Sequence, residues 1–413
     1  MEIETLKRSH LKRNILIAVG VVLIISAVIL NFTRAKYRVT QSIPLVNGVI
    51  NYTPYDFKII AMYQENNSGE YVEIDEMPSS GYVINENESY CTVDGENKDN
   101  DAILYTDNEE QHVINGLKKN SKCYLYFDIK SSSIAENIED LYENNNGTLV
   151  YDNTIDSNLR YTGTNPNNYV YFNCSNYASP SNSTCELWRI VGIFNENSHG
   201  LSGQRLVKLV RNESLGDMEW NNTVTNDWSG SDLQETLNGA YLNRTGSYSS
   251  TGITTATRAM IETVTWKLGG LPDFSSNPTA TVYTWERGTT VYSGHSTEWE
   301  GKIALLYLSD YGYATSGGST GRIACWGYYL DNWEDYSNCY NNNWLYTESD
   351  YWTLTPLSMY PNYEFLVSSD GSMSNNPLFG GSFGVRPSLY LTSDVSITGG
   401  TGTSTNPYTL SVS

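Results

Sequence analysis

The sequence predicts a three-part fold: an N-terminal transmembrane helix, a small all-β sandwich-like domain and a larger α+β C-terminal domain. Three observations predict it: an apolar run near the N terminus, short strand-like segments up to about residue 130, and mixed helical and strand patterns beyond residue 148. The 413 residues are enough for several domains with their own cores. The expected division is a basic cytoplasmic tail at 1–14, a transmembrane anchor at 15–32, a β-sandwich-like spacer at 39–130, a linker at 131–147 and a C-terminal domain at 148–413.

The predicted anchor contains the run from Ile15 to Leu30, in which twelve of sixteen residues are Ile, Leu or Val. These side chains contribute roughly −4 to −7 kcal/mol toward membrane insertion, and with its flanks the run approaches the ~20 residues that span a bilayer. A cleaved signal peptide is the alternative, but no small-x-small cleavage site follows before Arg34. We therefore expect a single-pass cell-membrane protein with an extracellular C-terminal ectodomain.

The charge of the chain excludes nucleic acid as a partner. The net charge is −21, and because residues 1–38 hold seven basic and two acidic residues, the remainder carries −26. Such a field repels phosphate backbones. The aromatic content of 13%, including 33 Tyr and 10 Trp, supplies rings for cores and for recognition surfaces.

The six cysteines fall into three successive pairs, and no His lies at metal-ligand spacing from them. An even number of cysteines beyond a membrane anchor favours disulfides and an exported ectodomain, and argues against zinc. The alternative is six buried thiols in a cytosolic protein. The expected disulfides are Cys91–Cys123, Cys174–Cys185 and Cys325–Cys339.

Local patterns place several elements. Apolar and aromatic runs predict strands at 57–63, 81–84, 89–93, 122–128, 188–194, 206–210, 301–307 and 351–355. The linker can hold a short helix at 134–142. In the C-terminal domain, Ser231 and Gln234 fit a capping box, and Leu233, Leu237 and Tyr241 then form an apolar helical stripe. A second helix is expected at 256–268, ended by two glycines.

The C-terminal segment carries the most distinctive motifs. It begins with W-T-L-T-P at 352–356 and ends with G-V-R-P at 384–387. Apolar residues alternate over 385–391, which predicts a strand with one buried face. Structural roles are expected for four residues, Trp352, Gly384, Arg386 and Pro387. A glycine permits close approach of the backbone, a proline suits a strand edge, and an arginine can donate hydrogen bonds to several carbonyl groups.

These motifs resemble the C-type-lectin fold, in the branch shared by formylglycine-generating enzymes and the variable proteins of diversity-generating retroelements. The resemblance covers about residues 148–413 and implies a bacterial surface protein, an adhesin or receptor, that binds an extracellular protein or glycan. It implies that the ligand-binding residues lie between the two motifs: Ser358, Met359, Tyr360, Asn362, Tyr363, Ser374, Asn375, Asn376 and Phe379. Their Tyr, Ser and Asn content is typical of a recognition surface.

The sequence departs from the catalytic and metal-binding members of that branch. The surroundings of Cys325 and Cys339 do not match the formylglycine-generating pattern, clustered His is absent from the sequence, and so are the E-P-N, Q-P-D and W-N-D calcium motifs of sugar-binding lectins. We therefore expect a non-catalytic protein with no cofactor and no metal. Two alternatives stay open: an extracellular enzyme, of the formylglycine type or otherwise, and a structural envelope protein with homotypic contacts.

Overall fold

The computed structural model describes residues 57–66, 70–78, 82–93, 97–107, 111–129, 133–144, 147–275, 277–378 and 381–412. The chain divides into two compact units, one of residues 1–130 and one of residues 131–413. Each unit has its own buried apolar cluster.

The N-terminal unit is built of strands. They are β1 (Phe57–Glu65), β2 (Tyr71–Ile74), β3 (Tyr82–Ile84), β4 (Tyr90–Val93), β5 (Asn97–Lys98), β6 (Ile103–Thr106), β7 (His112–Asn115) and β8 (Ser121–Ile129). The order β2-β1-β8-β4-β5, with β3 also on β8, forms a six-stranded sheet, and β6 and β7 form a separate hairpin. Leu104 and Ile114 of the hairpin share one buried cluster with Leu125 and Phe127 of β8, so the hairpin packs against the sheet. The sandwich-like spacer at 39–130 stays a prediction.

The central strand β8 shows how this unit obtains its core. Alternate residues Cys123, Leu125 and Phe127 are buried, while Tyr124 and Tyr126 between them stay half-buried. This period of two places one face of the strand in the apolar cluster.

The C-terminal unit contains sixteen described strands and eight short α-helices. The strands are β9 (Leu149–Tyr151), β10 (Leu159–Tyr161), β11 (Tyr169–Phe172), β12 (Glu186–Phe194), β13 (Leu206–Arg211), β14 (Asp217–Glu219), β15 (Val264–Lys267), β16 (Glu298–Gly301), β17 (Ile303–Ala304), β18 (Tyr351–Pro356), β19 (Tyr363–Val367), β20 (Met373–Pro377), β21 (Ser382–Gly384), β22 (Ser388–Tyr390), β23 (Val395–Gly399) and β24 (Thr409–Val412). The helices are α1 (Ile134–Glu143), α2 (Glu196–His199), α3 (Asp232–Thr236), α4 (Thr255–Ala259), α5 (Thr279–Glu286), α6 (Leu308–Tyr313), α7 (Arg322–Gly327) and α8 (Ser337–Tyr340).

Two main sheets organise this unit. A seven-stranded antiparallel sheet has the order β17-β22-β13-β12-β10-β9, with β11 also on β12. A five-stranded sheet has the order β14-β21-β18-β19-β20. Aromatic side chains fill the core around them, and the largest that are fully buried are Trp188, Trp220, Trp228, Trp266, Trp333 and Trp352.

The predicted α+β fold class with a transmembrane helix is wrong. Of the residues that the structure describes, 35% lie in strands and only 20% in helices. The helix expected at 256–268 ends at Ala259, and Val264–Lys267 is strand β15 instead. Val264 and Trp266 are buried while Thr265 and Lys267 are half-buried, so the period of two decides this segment over the helical pattern.

The membrane prediction is also corrected. The predicted tail at 1–14 and anchor at 15–32 lie outside the described residues. Among the helices that the structure describes, none is both long and apolar enough to cross a membrane.

The segment predicted as a linker contributes to the second unit. Helix α1 begins after Ser133, whose side chain accepts from the backbone N–H of Glu136, and Glu136 accepts from Ser133 in return. Ile134 and Ile138 are buried in the core of the C-terminal unit. The helix predicted at 134–142 is thus present, but it is a packed element of that unit rather than part of a connecting segment.

The predicted disulfides are confirmed. Cys91 pairs with Cys123 across neighbouring strands β4 and β8, and the C-terminal unit contains Cys174–Cys185 and Cys325–Cys339. The described residues contain no free cysteine. Three disulfides are consistent with an extracellular protein, because reducing compartments do not maintain them.

The strand predicted at 385–391 is shorter and more buried than expected. Only Ser388–Tyr390 forms a strand, β22, and it lies between β13 and β17 in the seven-stranded sheet. Arg386 and Tyr390 are buried together with the apolar residues between them. The alternating pattern was misleading because the core covers both faces of this segment.

Candidate functional site

Residues 357–363 join β18 to β19 and include Tyr363, the first residue of β19. This loop carries most of the predicted ligand-binding residues. Met359 and Tyr360 are the exposed members, with 57% and 50% of their surface accessible. Asn362 and Tyr363 are half-buried, whereas Ser358 is fully buried. The structure therefore presents a short aromatic and polar segment at one end of the five-stranded sheet.

The second group of predicted residues lies beside this loop. Strand β20 pairs with β19, and its residues Ser374, Asn375 and Asn376 stand opposite Leu366, Phe365 and Glu364. All three are half-buried. Leu378 donates its backbone N–H to the carbonyl of Asn362 at 3.0 Å, which ties the end of β20 to the loop. Phe379 lies outside the described residues.

Asn226 holds the loop in one conformation. It is 1% exposed, and its side-chain amide donates to the carbonyl oxygens of Leu357 at 3.2 Å, Tyr360 at 3.3 Å and Tyr363 at 2.6 Å. Its backbone N–H also donates to the carbonyl of Pro361 at 2.6 Å. Asn226 thus donates hydrogen bonds to four of the seven backbone carbonyl groups in this loop. Carbonyl groups that are shielded from water need such hydrogen-bond partners.

Phe274 extends the exposed aromatic surface of the loop. Its ring stacks on Tyr360, with 6.1 Å between centroids and 22° between planes, and meets the edge of Tyr363 at the same distance. Phe274 is 40% exposed. Phe274 and Tyr360 therefore form an exposed aromatic pair, the kind of rigid area found at binding surfaces, and the exposed Met359 precedes Tyr360 in the chain.

Glu364 lies directly after the loop and is fully buried. It stands in the central strand β19 with Pro356 and Asn376 opposite it, so neighbouring strands cover it on both sides. Neither carboxyl oxygen has a hydrogen-bond partner among the described residues. Burial raises the pKa of Glu364 well above its usual range, because loss of water disfavours the charged carboxylate. Perturbed carboxyl groups of this kind concentrate at functional sites.

The four residues with expected structural roles make scaffold contacts. The Trp352 indole N–H donates to the carbonyl of Met218 at 2.9 Å. Arg386 donates to the carbonyls of Arg211 at 3.2 Å and Leu345 at 3.3 Å. A Cβ atom on Gly384 would meet the carbonyl oxygen of Asp350 at 3.0 Å, so this backbone approach leaves little room for a side chain. Pro387 is buried and accepts from the backbone N–H of Arg211 at 2.9 Å.

A fully enclosed charge network supports the rest of the unit. Asp310 on α6 accepts from Lys208 at 2.6 Å and from Arg160 at 2.8 Å, and Arg160 also binds Asp152 at 2.6 Å. These side chains are at most 2% exposed. Burial alone would raise the pKa of Asp310, but Lys208 and Arg160 lower it well below its usual range. The network joins β10, β13 and α6 and has a structural role.

The described residues contain no group of three or more His, Cys, Asp or Glu side chains that could hold a metal ion. Residues Leu330–Asp335, which include two aspartates and a glutamate, form a 3₁₀ helix.

Several residues of this site had escaped sequence-based prediction. Asn226 gives no local signal, because its partners lie 131 to 137 residues away. Phe274 is an isolated aromatic residue in a polar loop. Glu364 does offer a signal, since it directly precedes the apolar run Phe365–Leu366–Val367, which is typical of a buried strand.

The fold and the site define a strand-rich, disulfide-containing domain with a rigid, partly aromatic loop. Residues 206–393 match the sequence profile of a family described as a domain of unknown function, DUF6273. The match includes Asn226, the loop at 357–363, Glu364 and Arg386. No curated protein and no solved structure matches the chain. The resemblance to the C-type-lectin branch stays a prediction.

Proposed function

We propose that the protein is an extracellular ligand-binding protein of the adhesin or receptor type, and that the loop at 357–363 contacts its ligand. The observation that carries the proposal is the restraint of this loop by Asn226. A loop already fixed before binding loses little conformational entropy when the ligand arrives. The exposed Met359 and Tyr360 then provide contact area at low entropic cost.

The state of the late cysteines supports binding over formylglycine-type catalysis. Cys325 and Cys339 are both fully buried and joined in a disulfide. A catalytic cysteine acts as an accessible thiolate, and a buried disulfide offers none.

Binding to an array of printed glycans and to a panel of extracellular matrix proteins tests the proposal. The full-length protein is compared with the Tyr360→Ala variant and with a matched control, Tyr151→Ala, which removes a tyrosine of similar exposure (40%) from the other sheet. We expect Tyr360→Ala to weaken binding by about tenfold or more, as removal of an aromatic anchor does. Retention of full binding by Tyr360→Ala, or equal loss in the control, contradicts a role for the loop.

A further inference from the structure

One face of the six-stranded sheet in the N-terminal unit is lined with tyrosines. Tyr124 and Tyr126 on β8 point away from the core, because the residues that alternate with them fill the apolar cluster of this unit. Tyr63 on β1 is the neighbour of Tyr126, and Tyr90 on β4 lies opposite Tyr124. We call this surface the tyrosine face, and it consists of five half-buried residues, Tyr63, Tyr71, Tyr90, Tyr124 and Tyr126.

Ring contacts join these side chains into one continuous surface. The Tyr63 ring stacks on Tyr126 with 4.7 Å between centroids, and Tyr90 stacks on Tyr124 at 5.0 Å. The rings of Tyr71 and Tyr126 meet edge to face at 5.1 Å. The tyrosine face crosses four adjacent strands, from β2 to β4, which is about 14 Å at the usual strand spacing. It therefore offers flat, preformed aromatic area that is longer than one side chain of a partner.

Acidic groups accompany the tyrosines. Glu73 is exposed and lies opposite Tyr63 in the antiparallel pair of β1 and β2, so the two side chains share one side of the sheet. Glu88 is exposed near Tyr126. Partial burial is the main cause of the raised pKa of Tyr126, and the neighbouring phenols and Glu88 add to it. Residues 57–129 contain 15 Asp or Glu and five Lys, a net charge of −10. This field disfavours a second copy of the chain or an anionic polymer as the occupant of the face.

A cation of the chain itself already lies on the tyrosine face. The Nζ atom of Lys98 is 5.7 Å from the centroid of the Tyr90 ring, a distance at which the negative face of the ring attracts an ammonium group. We propose that the tyrosine face binds an extended basic segment of a partner protein, whose Lys or Arg side chains lie on the rings and pair with Glu73 and Glu88. This surface belongs to a different unit from the 357–363 loop, so the proposal does not depend on the function proposed for that loop.

Direct titration of the full-length protein at about 0.15 M salt tests the class of partner. The probes are deca-arginine and deca-lysine peptides, with a deca-glutamate peptide and cellohexaose, a neutral glycan chain, for comparison. We expect saturable binding of both basic peptides, tighter for arginine because a guanidinium group also stacks on aromatic rings. Absence of saturable binding of either basic peptide overturns the proposal. Binding of cellohexaose that is lost in Tyr63→Val also overturns it, because the face would then be a glycan site.

Two pairs of variants locate the binding surface. Tyr63→Val removes a ring but keeps a residue that favours strands, and its control Tyr63→Phe keeps the ring. We expect Tyr63→Val to bind deca-arginine about threefold more weakly or worse, and Tyr63→Phe to bind it as the wild type does.

The second pair separates the local contact from the total charge. Glu73→Gln and Glu348→Gln each remove one negative charge from an exposed glutamate, but Glu348 belongs to the C-terminal unit. We expect only Glu73→Gln to weaken binding of the basic peptides, by about twofold to fivefold. Equal losses in these two variants would mean that the peptides respond to net charge alone. That result overturns the proposal even if Tyr63→Val fails to fold.

Discussion

The side-chain amide of Asn226 donates to the carbonyl oxygen of Tyr363 at 2.6 Å, across 137 residues of sequence. Through this bond and those to Leu357 and Tyr360, a residue outside the loop determines the loop's shape. The exposed side chains of Met359 and Tyr360 therefore project from a backbone that these hydrogen bonds hold in one conformation.

Removing this side chain is expected to destabilise the protein and loosen the loop. In Asn226→Ala three carbonyl groups lose the amide donor, but those of Leu357 and Tyr360 keep the backbone N–H groups of Tyr360 and Tyr363. We therefore expect a cost of about 1–3 kcal/mol in free energy of unfolding. Chemical denaturation measures the cost, and amide hydrogen exchange over 357–363 reports the loosening. Asn222→Ala, at an exposed position four residues earlier, is the control and should change neither. Unaltered exchange in Asn226→Ala contradicts the role given to Asn226.

Glu364→Gln is expected to stabilise the protein at neutral pH. The raised pKa of Glu364 means that the folded state keeps a proton that the unfolded state releases above its own pKa of about 4.3. Wild-type stability therefore falls with rising pH between these two pKa values, by up to about 1.4 kcal/mol per pH unit, and a glutamine removes this loss.

Denaturation of both proteins between pH 4 and pH 8 measures the difference, which should grow as the pH rises. A difference that does not change with pH would contradict a pKa of Glu364 raised by folding. Glu348→Gln, which alters a glutamate at an exposed loop position, is the control.

Asp310→Asn is expected to cost about 3–5 kcal/mol, because it leaves the buried charges of Lys208 and Arg160 without their shared partner. Glu298→Gln breaks the more exposed ion pair with Lys267 and should cost less than about 1 kcal/mol. Denaturation midpoints at neutral pH compare the two. Similar costs for both variants would contradict a buried network.

The lowered pKa of Asp310 also has a consequence for acid stability. The aspartate contributes stability above the pKa of about 3.9 of an unfolded aspartate, and this contribution is lost as the pH falls toward its lower folded value. Asp310→Asn should therefore unfold with a shallower dependence on pH below about pH 4 than the wild-type protein.

The disulfide Cys325–Cys339 closes a loop with a sequence separation of 14 residues. Replacing both cysteines by serine should cost about 3 kcal/mol in the chain-entropy description. Peptide mapping without reduction should recover all three expected pairs from protein secreted into the medium. Free thiols at these positions in such material would contradict the extracellular interpretation.

Local sequence signals predicted the elements whose stabilising contacts are local. The capping residue Ser231 does accept from the Gln234 backbone N–H, and Leu233, Leu237 and Tyr241 are buried as the stripe predicts. The helix itself lasts only through Thr236 and continues as a π-helical turn, Leu237–Tyr241. The cysteine pairs followed from their order along the chain.

Features set by distant parts of the chain were not predictable. Trp266 is buried in β15 because β16, some thirty residues later in the chain, pairs with this segment. The helix predicted at 256–268 rested on local sequence alone, which contains no information on this pairing. The burial of Arg386 follows from carbonyl groups of Arg211 and Leu345. The position of Asn226 could not be assigned from its neighbours in sequence, because its side chain bonds to carbonyl groups 131 to 137 residues away.

Oxidative footprinting of the protein with a bound glycan or matrix protein tests the proposed function most directly. Met359 and Tyr360 are exposed and react readily, and Tyr151 serves as an internal reference in the same unit. We predict that bound ligand protects Met359 and Tyr360 and leaves Tyr151 unchanged. Protection elsewhere on the unit, with Met359 and Tyr360 as reactive as in the free protein, would contradict the account.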